Sequence, residues 1–172
     1  MIKLIGCSLV FSAALGIGMR WVAELKNRLV QMGYLEKALT FLLSEISYEN
    51  SSVPESLIKI GTRFPNSFGE QLIEMGEELL EKNGGRLEEI WIHYMDKISK
   101  QLKLKGYEAE EILQLGTVLG SADKKLQTDA IQGGLQMLRE ALKDENSKLD
   151  GKQKVSITLS IAGGFMTIIL LI

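Results

Sequence analysis

The sequence predicts an all-α protein, a bundle of five to six helices flanked by an N-terminal and a C-terminal transmembrane helix. Three observations predict this class. Apolar residues recur at three- and four-residue steps through the middle of the chain, two terminal segments contain no charged residue, and only 2 prolines stand against 17 glycines in 172 residues. No alternation of apolar and polar residues is convincing enough for a sheet, and the sequence shows no internal repeat.

The two terminal segments are residues 4–19, LIGCSLVFSAALGIGM, and residues 155–172, VSITLSIAGGFMTIILLI. As helices they would reach roughly 24 to 27 Å, slightly less than a hydrocarbon layer of about 30 Å. Trp21 can sit at the headgroup interface and so lengthen the first membrane segment. The aliphatic side-chain stems of two flanking lysines can lengthen the second segment in the same way. We therefore expect transmembrane helices at residues 1–23 and 155–172 around a helical domain at residues 24–150. The alternative is a pair of buried core helices in a soluble bundle.

The N-terminal segment also imitates two processing signals. Lys3, an apolar run and the small residues 12–14 resemble a cleavable secretory signal, but the run is short and apolar character continues beyond residue 14. Cys7 follows Leu-Ile-Gly as in a lipoprotein box, but here the apolar region follows the cysteine. We therefore expect Cys7 to be a small residue packed within a membrane helix.

Basic residues flank both segments on the side of the central domain, and cytoplasmic flanks of membrane helices collect such residues. They are Arg20, Lys26, Arg28, Lys148, Lys152 and Lys154. Only Lys3 and the amino terminus lie on the opposite side. The sequence therefore predicts a two-pass protein of the cell membrane with its central domain in the cytoplasm.

Turn-forming residues divide the first half of the central domain into three helices. The first should continue directly from the membrane segment, and the serines and proline of residues 51–54 indicate a second helix that runs to about Thr62. A third follows residues 64–66 and should end at the Asn-Gly-Gly of residues 83–85. The apolar stripes are Leu35, Ala38, Leu39, Leu42, Leu43 and Ile46 on the first helix, and Phe68, Leu72, Met75 and Leu79 on the third.

The sequence pattern of the second half of the central domain predicts three more helices. Gly106 should separate an aromatic-rich core helix from a helix at residues 107–119. The turn at residues 119–123, LGSAD, offers a serine or an aspartate to cap the last helix, which should run into the second membrane segment. The glycine pair 133–134 inside that helix indicates close packing, with a hinge as the alternative. The stripes are Leu87, Ile90, Trp91, Tyr94, Met95, Ile98 and Leu102, and then Leu126, Ala130, Ile131, Leu135, Leu138 and Leu142.

Composition argues against several functional classes. The net charge of −2 and pI near 5.6 give no basic field for nucleic acid. One cysteine, Cys7, and one histidine, His93, make a disulfide, a zinc site or a catalytic triad hard to assemble, and we expect His93 on a helix surface or interface. Nucleotide-binding glycine loops and zinc-protease motifs are missing. We expect no enzyme activity, catalytic residue, cofactor or metal; the alternative is a hydrolase with an unfamiliar site.

Two polar patterns are candidate contact surfaces. Glu74, Glu77, Glu78 and Glu81 share one helix face, which is either a solvated face or a partner-binding surface for a basic protein. Small residues recur every four positions in both membrane segments, at Ser8, Ser12 and Gly16 and at Ser156, Ser160 and Gly164. Such rows allow close packing of helices in lipid, so these two helices either pack together or dock on another membrane protein, unless the spacing is chance.

The sequence resembles the stage III sporulation protein AB family of spore-forming bacteria. The resemblance rests on LEKALTFLLSEISYENSSVPESL at residues 35–57, on LGTVLGSADK at residues 115–124 and on the two terminal segments. It implies that the central domain is similar to one helical domain of the type II secretion platform protein F. That protein has two such domains and more membrane spans, whereas this chain has one domain.

The resemblance also implies a function and a location. The chain would be a noncatalytic membrane platform or scaffold of the channel complex that connects mother cell and forespore, on the mother-cell side of the membrane around the forespore. Its expected partners are other membrane proteins of that complex, a cytoplasmic secretion-type ATPase, membrane lipid and further copies of itself, with no nucleic acid. A membrane-tethered signalling or adaptor protein is the alternative.

Overall fold

The computed structural model is all-helical within the residues it describes, as the sequence predicts. The backbone is described for residues 2–49, 51–64, 66–82 and 87–171, and side chains for residues 20–151 apart from 21, 22, 25, 50, 65, 83–86 and 150. The elements are α1 (Ile2–Ser44), a π-helical turn (Glu45–Glu49), α2 (Val53–Gly61), α3 (Ser67–Glu81), α4 (Leu87–Gln101), α5 (Gly106–Leu119) and α6 (Lys124–Leu171). Six α-helices are therefore present in this part of the chain, at the upper end of the expected number.

The chain forms two compact units. One comprises Met1–Val30 and Leu142–Ile172, and the other comprises Gln31–Ala141. Among the described side chains, the buried apolar ones lie in the second unit, including Leu35 and Met75, each at most 1% exposed. The expected domain limits at residues 23–24 and 150–155 stay predictions.

The first unit contains an ion pair between the two long helices. Arg28 Nη1 of α1 lies 2.7 Å from Glu145 Oε1 of α6, and both side chains are largely buried. Lys148 Nζ lies 3.6 Å from the same carboxylate oxygen. A buried carboxylate needs such partners, so this pair fixes how α1 and α6 face each other at this level.

The predicted stripe of α1 is buried except for Leu43, which is half-buried, and aromatic rings pack α1 against α3. Leu35, Leu39 and Leu42 are at most 2% exposed. Tyr34 packs against Phe68, the first buried residue of α3, with ring centroids 6.3 Å apart. Aromatic pairs at this separation stabilise a core beyond the area they bury.

The π-helical turn at the end of α1 is held by a buried carboxylate. Glu45 is 4% exposed, and its Oε2 accepts hydrogen bonds from Lys59 Nζ at 2.8 Å and from Ser51 Oγ at 3.4 Å. Arg63 Nη2 lies 3.7 Å from Glu45 Oε1, and its guanidinium stacks on Phe41 with Cζ 4.4 Å from the ring centroid. The cations thus compensate the desolvation of Glu45 and tie the end of α1 to α2.

Helix α2 begins and ends where the sequence predicts. Ser52 Oγ accepts the N–H of Glu55, and the Glu55 carboxylate accepts the N–H of Ser52, so the two form a reciprocal capping box. Pro54 lies in the first turn, where its missing N–H leaves no helical bond unmade. The helix ends at Gly61, with Thr62 as its C-cap.

Helices α2 and α3 approach each other so closely that only glycine fits at several contact positions. A Cβ atom on Gly76 would lie 2.7 Å from the Pro54 carbonyl oxygen and 2.6 Å from Ile58 Cγ1. A Cβ on Gly61 would lie 2.6 Å from the Gly69 carbonyl oxygen. Because real Cβ atoms essentially never approach backbone this closely, these glycines set the spacing between the two helices.

A tryptophan joins α4 to α5. Trp91 is fully buried, and its indole N–H donates to the Ile112 carbonyl oxygen at 2.9 Å. A Cβ on Gly116 would lie 2.6 Å from Trp91 Cδ1, so the glycine provides the space that the indole occupies. The predicted core role of this aromatic stripe is therefore confirmed for Trp91.

Helix α4 ends earlier than the sequence suggests. Gly106 is expected to separate α4 from α5, but α4 ends at Gln101 and Gly106 is the first residue of α5. The break is at Lys103, which has a φ of 52°. The N–H groups of Lys103 and Leu104 donate to the carbonyl oxygens of Lys100 and Ser99, as in a Schellman motif, so hydrogen bonding to helix-end carbonyls compensates a conformation that usually requires glycine.

The last helix runs unbroken to Leu171, as expected, and Asp123 caps it. Asp123 Oδ1 accepts the N–H of Lys125 at 2.9 Å and that of Leu126 at 3.3 Å. Close packing is confirmed at Gly134, where an added Cβ would lie 3.3 Å from Leu115 Cδ1. The placement of Leu126 in the core stripe is wrong, because this side chain is 50% exposed in the first turn of α6.

The predicted membrane segments and their small-residue rows lie outside the described side chains. The rows concerned are Ser8, Ser12 and Gly16, and Ser156, Ser160 and Gly164. Within the described part of the chain, no helix is long and apolar enough to cross a membrane. The flanking transmembrane helices and the packing of their rows therefore stay predictions.

Gly76→Ala should destabilise the fold by roughly 1 to 3 kcal/mol, because the added methyl group forces α2 and α3 apart. The measurement is chemical unfolding of the full-length chain in detergent, followed by circular dichroism.

Gly133→Ala is the matched control for this substitution. Gly133 is exposed inside α6 and an added Cβ would meet nothing within 4 Å, so alanine should stabilise this position by roughly 0.5 to 1 kcal/mol. Equal effects of the two substitutions would show that close approach of α2 and α3 does not limit the fold.

Candidate interaction surfaces

The predicted acidic row lies along the outer face of α3. Glu74, Glu77 and Glu81 are exposed, whereas Glu78 is half-buried. The core residues Leu72, Met75 and Leu79 of the same helix are at most 1% exposed and occupy the opposite face. The four carboxylates therefore share one face, as predicted, but their role in binding a partner stays a prediction.

Glu78 differs from the rest of the row because it is engaged within the domain. Its Oε2 accepts the Tyr94 hydroxyl at 3.0 Å, and its Oε1 accepts Lys82 Nζ. The hydrogen bond from Lys82 is the main cause that lowers the pKa of Glu78. The three exposed glutamates, Glu74, Glu77 and Glu81, are consequently the better candidates for external contacts.

The acidic residues of this face affect the pKa of Tyr94. Burial, followed by the hydrogen bond to Glu78 and the charges of Glu78 and Glu74, raises the pKa of Tyr94 to about 12. His93 beside it is exposed, with its ring edge-on to Tyr94 at a centroid distance of 5.3 Å, as expected for a helix-surface histidine. The surface formed by α3 and α4 is thus anionic at neutral pH.

A second feature is an open groove of about 620 Å³ in the unit formed by residues 31–141. It lies where the π-helical turn and the start of α2 meet the ends of α3 and α5 and the starts of α4 and α6. The lining residues are Ile46, Ser51, Ser52, Val53, Pro54, Leu79, Leu80, Leu87, Leu119, Gly120, Ala122, Lys124 and Gln127. Its volume falls within the range of ligand and peptide sites.

Polar side chains in the groove serve the fold. Gln127 Nε2 donates to the carbonyl oxygens of Leu119 at 2.8 Å and Ser121 at 2.7 Å, and so caps the end of α5. Ser52 belongs to the capping box of α2. Convergent polar groups give small-molecule sites their specificity. Ser52 and Gln127 cannot provide them here, because both already hydrogen-bond within the domain.

The sequence pattern did not identify the groove, although one signal was present. Leu80 directly follows the last stripe residue of α3, lies at the edge of the acidic face beside Glu77, and is 47% exposed. An apolar residue out of phase with a core stripe is a recognisable mark of a surface contact. The remaining lining residues come from distant segments, so only the folded structure brings them together.

The described side chains contain no group of three or more His, Cys, Asp or Glu residues that could hold a metal ion. The buried carboxylates have structural partners instead. Glu108 is fully buried and accepts the N–H of Lys105 at 2.7 Å at the start of α5, and Glu45 holds the π-helical turn. These contacts are typical of helix caps and buried ion pairs.

Comparisons with known proteins agree with the all-helical fold. A solved structure described as "Stage III sporulation protein AB (SpoIIIAB)" is similar, with a TM-score of 0.63 and 23% sequence identity, over 72% of this chain and 97% of that chain. At this identity the likeness shows the fold alone. No curated protein matches the chain.

The family comparison covers nearly the whole sequence. The family described as "Stage III sporulation protein AB (spore_III_AB)" matches residues 3–172. This range includes both terminal segments and, apart from Ile2, all residues of the described helices. The chain therefore belongs to the stage III sporulation protein AB family.

Proposed function

We propose that the protein is a noncatalytic membrane scaffold of the channel complex between mother cell and forespore. The observation that carries this proposal is the family match over residues 3–172. Contacts between helix ends are consistent with a scaffold, because Glu45 binds Lys59 of α2 and Gln127 of α6 caps the end of α5. Its partners in this proposal are other membrane proteins of the complex, a cytoplasmic secretion-type ATPase, membrane lipid and further copies of the chain.

The proposed topology has residues 1–23 and 155–172 in the cell membrane and the central domain in the cytoplasm of the mother cell. The basic flanks support this orientation. The Arg28–Glu145 ion pair supports entry of the two helices into the bilayer side by side, since it joins α1 and α6 shortly before both segments. From Glu145 to residue 155 a helix rises only about 15 Å.

Helix phase bears on how the two small-residue rows are used. At about 100° per residue, Ser12 lies about 160° around α1 from Arg28, and Ser8 and Gly16 lie within about 40° of Ser12. Arg28 faces α6 through its ion pair with Glu145. From this helical phase we expect the first row to dock on another membrane protein or another copy.

Crosslinking of the full-length chain in cells arrested during engulfment tests the scaffold proposal. We expect the recovered neighbours to include a secretion-type ATPase or channel proteins of the forespore membrane, since a scaffold must contact the parts it organises. Mass spectrometry of the crosslinked material identifies them. Recovery of receptors alone would indicate a signalling adaptor and contradict the proposal.

Paired cysteines in a Cys7→Ser background test the helix phase. Ile17 and Ser156 are each 11 residues from the ion pair and about 20° from its face, so Ile17→Cys with Ser156→Cys should form a disulfide within one chain. Gel mobility under oxidising conditions measures its formation. Ser12→Cys with Ser160→Cys is the control, because these two positions lie at a similar depth but Ser12 is about 160° around α1 from Arg28. This pair should not form a disulfide within one chain. Formation of this disulfide, and not of the first one, would show that the two rows pack together.

Charge reversal tests the acidic row. Glu74→Lys, Glu77→Lys and Glu81→Lys together should reduce co-purification with the ATPase at least tenfold, because like charges then face a basic partner surface. Glu78 is retained because it binds Tyr94 and Lys82.

Glu88→Lys, Glu110→Lys and Glu111→Lys form the control for this variant. They change the same total charge at exposed positions on α4 and α5. Equal co-purification of the two triple variants would remove the acidic row from the proposed contact surface.

A further inference from the structure

We draw no further inference here: the strongest candidate, the outward face of α6 on which Leu126 is half-exposed and Gly133 leaves open space where a Cβ would stand, is an unpartnered apolar face, and nothing in the described part of the chain shows what covers it.

Discussion

The close contact between α2 and α3 is the constraint on which the candidate surfaces depend. Gly61, Gly69 and Gly76 bring the two helices so near that carbonyl oxygens occupy the space of side chains. This spacing positions Lys59 of α2 against Glu45 and thereby fixes the π-helical turn. It also sets the gap between the start of α2 and the end of α3, where the groove lies. A change of one methyl group at this contact therefore alters several distant features.

Electrostatics inside the domain serve a different purpose from those on its surface. Glu45 and Glu108 are buried at helix junctions, where loss of a partner would leave a desolvated charge. Lys59 bridges Glu45 and Glu49, and these hydrogen bonds raise the pKa of Lys59 and lower that of Glu49, so both stay charged across the physiological range. The exposed glutamates of α3 stay hydrated, so they need no partner inside the domain to compensate desolvation. Burial thus separates charges that hold the fold from charges that can meet a partner.

Helical periodicity predicted the parts of the structure that depend on nearest neighbours along the chain. The stripes ending at Ile46 and Leu79, the start of α2 within residues 51–54 and the continuous last helix agree with their sequence signals, because the residues involved lie within a few positions of each other. Lys103 shows the limit of such signals. Its positive φ is compensated by bonds to helix-end carbonyls, whereas glycine at position 106 suggested a different break.

Features assembled from distant segments could not be predicted in this way. The exposure of Leu126 depends on how α6 begins relative to its neighbours, and the groove combines residues from position 46 to position 127. The acidic row was found because four glutamates lie on one helix, but the engagement of Glu78 by Tyr94 depends on a contact 16 residues away. Sequence patterns define faces of helices, whereas tertiary contacts decide which members of a face remain available.

The two candidate surfaces on α3 would contribute differently to binding in the proposed scaffold. Exposed charges such as Glu74, Glu77 and Glu81 act over about a Debye length and mainly raise the rate of association, so their effect weakens with salt. Apolar burial beside Leu80 acts only after contact and mainly slows dissociation. Because Glu77 lies one helical turn before Leu80 on the same helix, a partner steered by the acidic row arrives next to the groove. The glycine contact that positions α3 therefore sets the geometry of both steps.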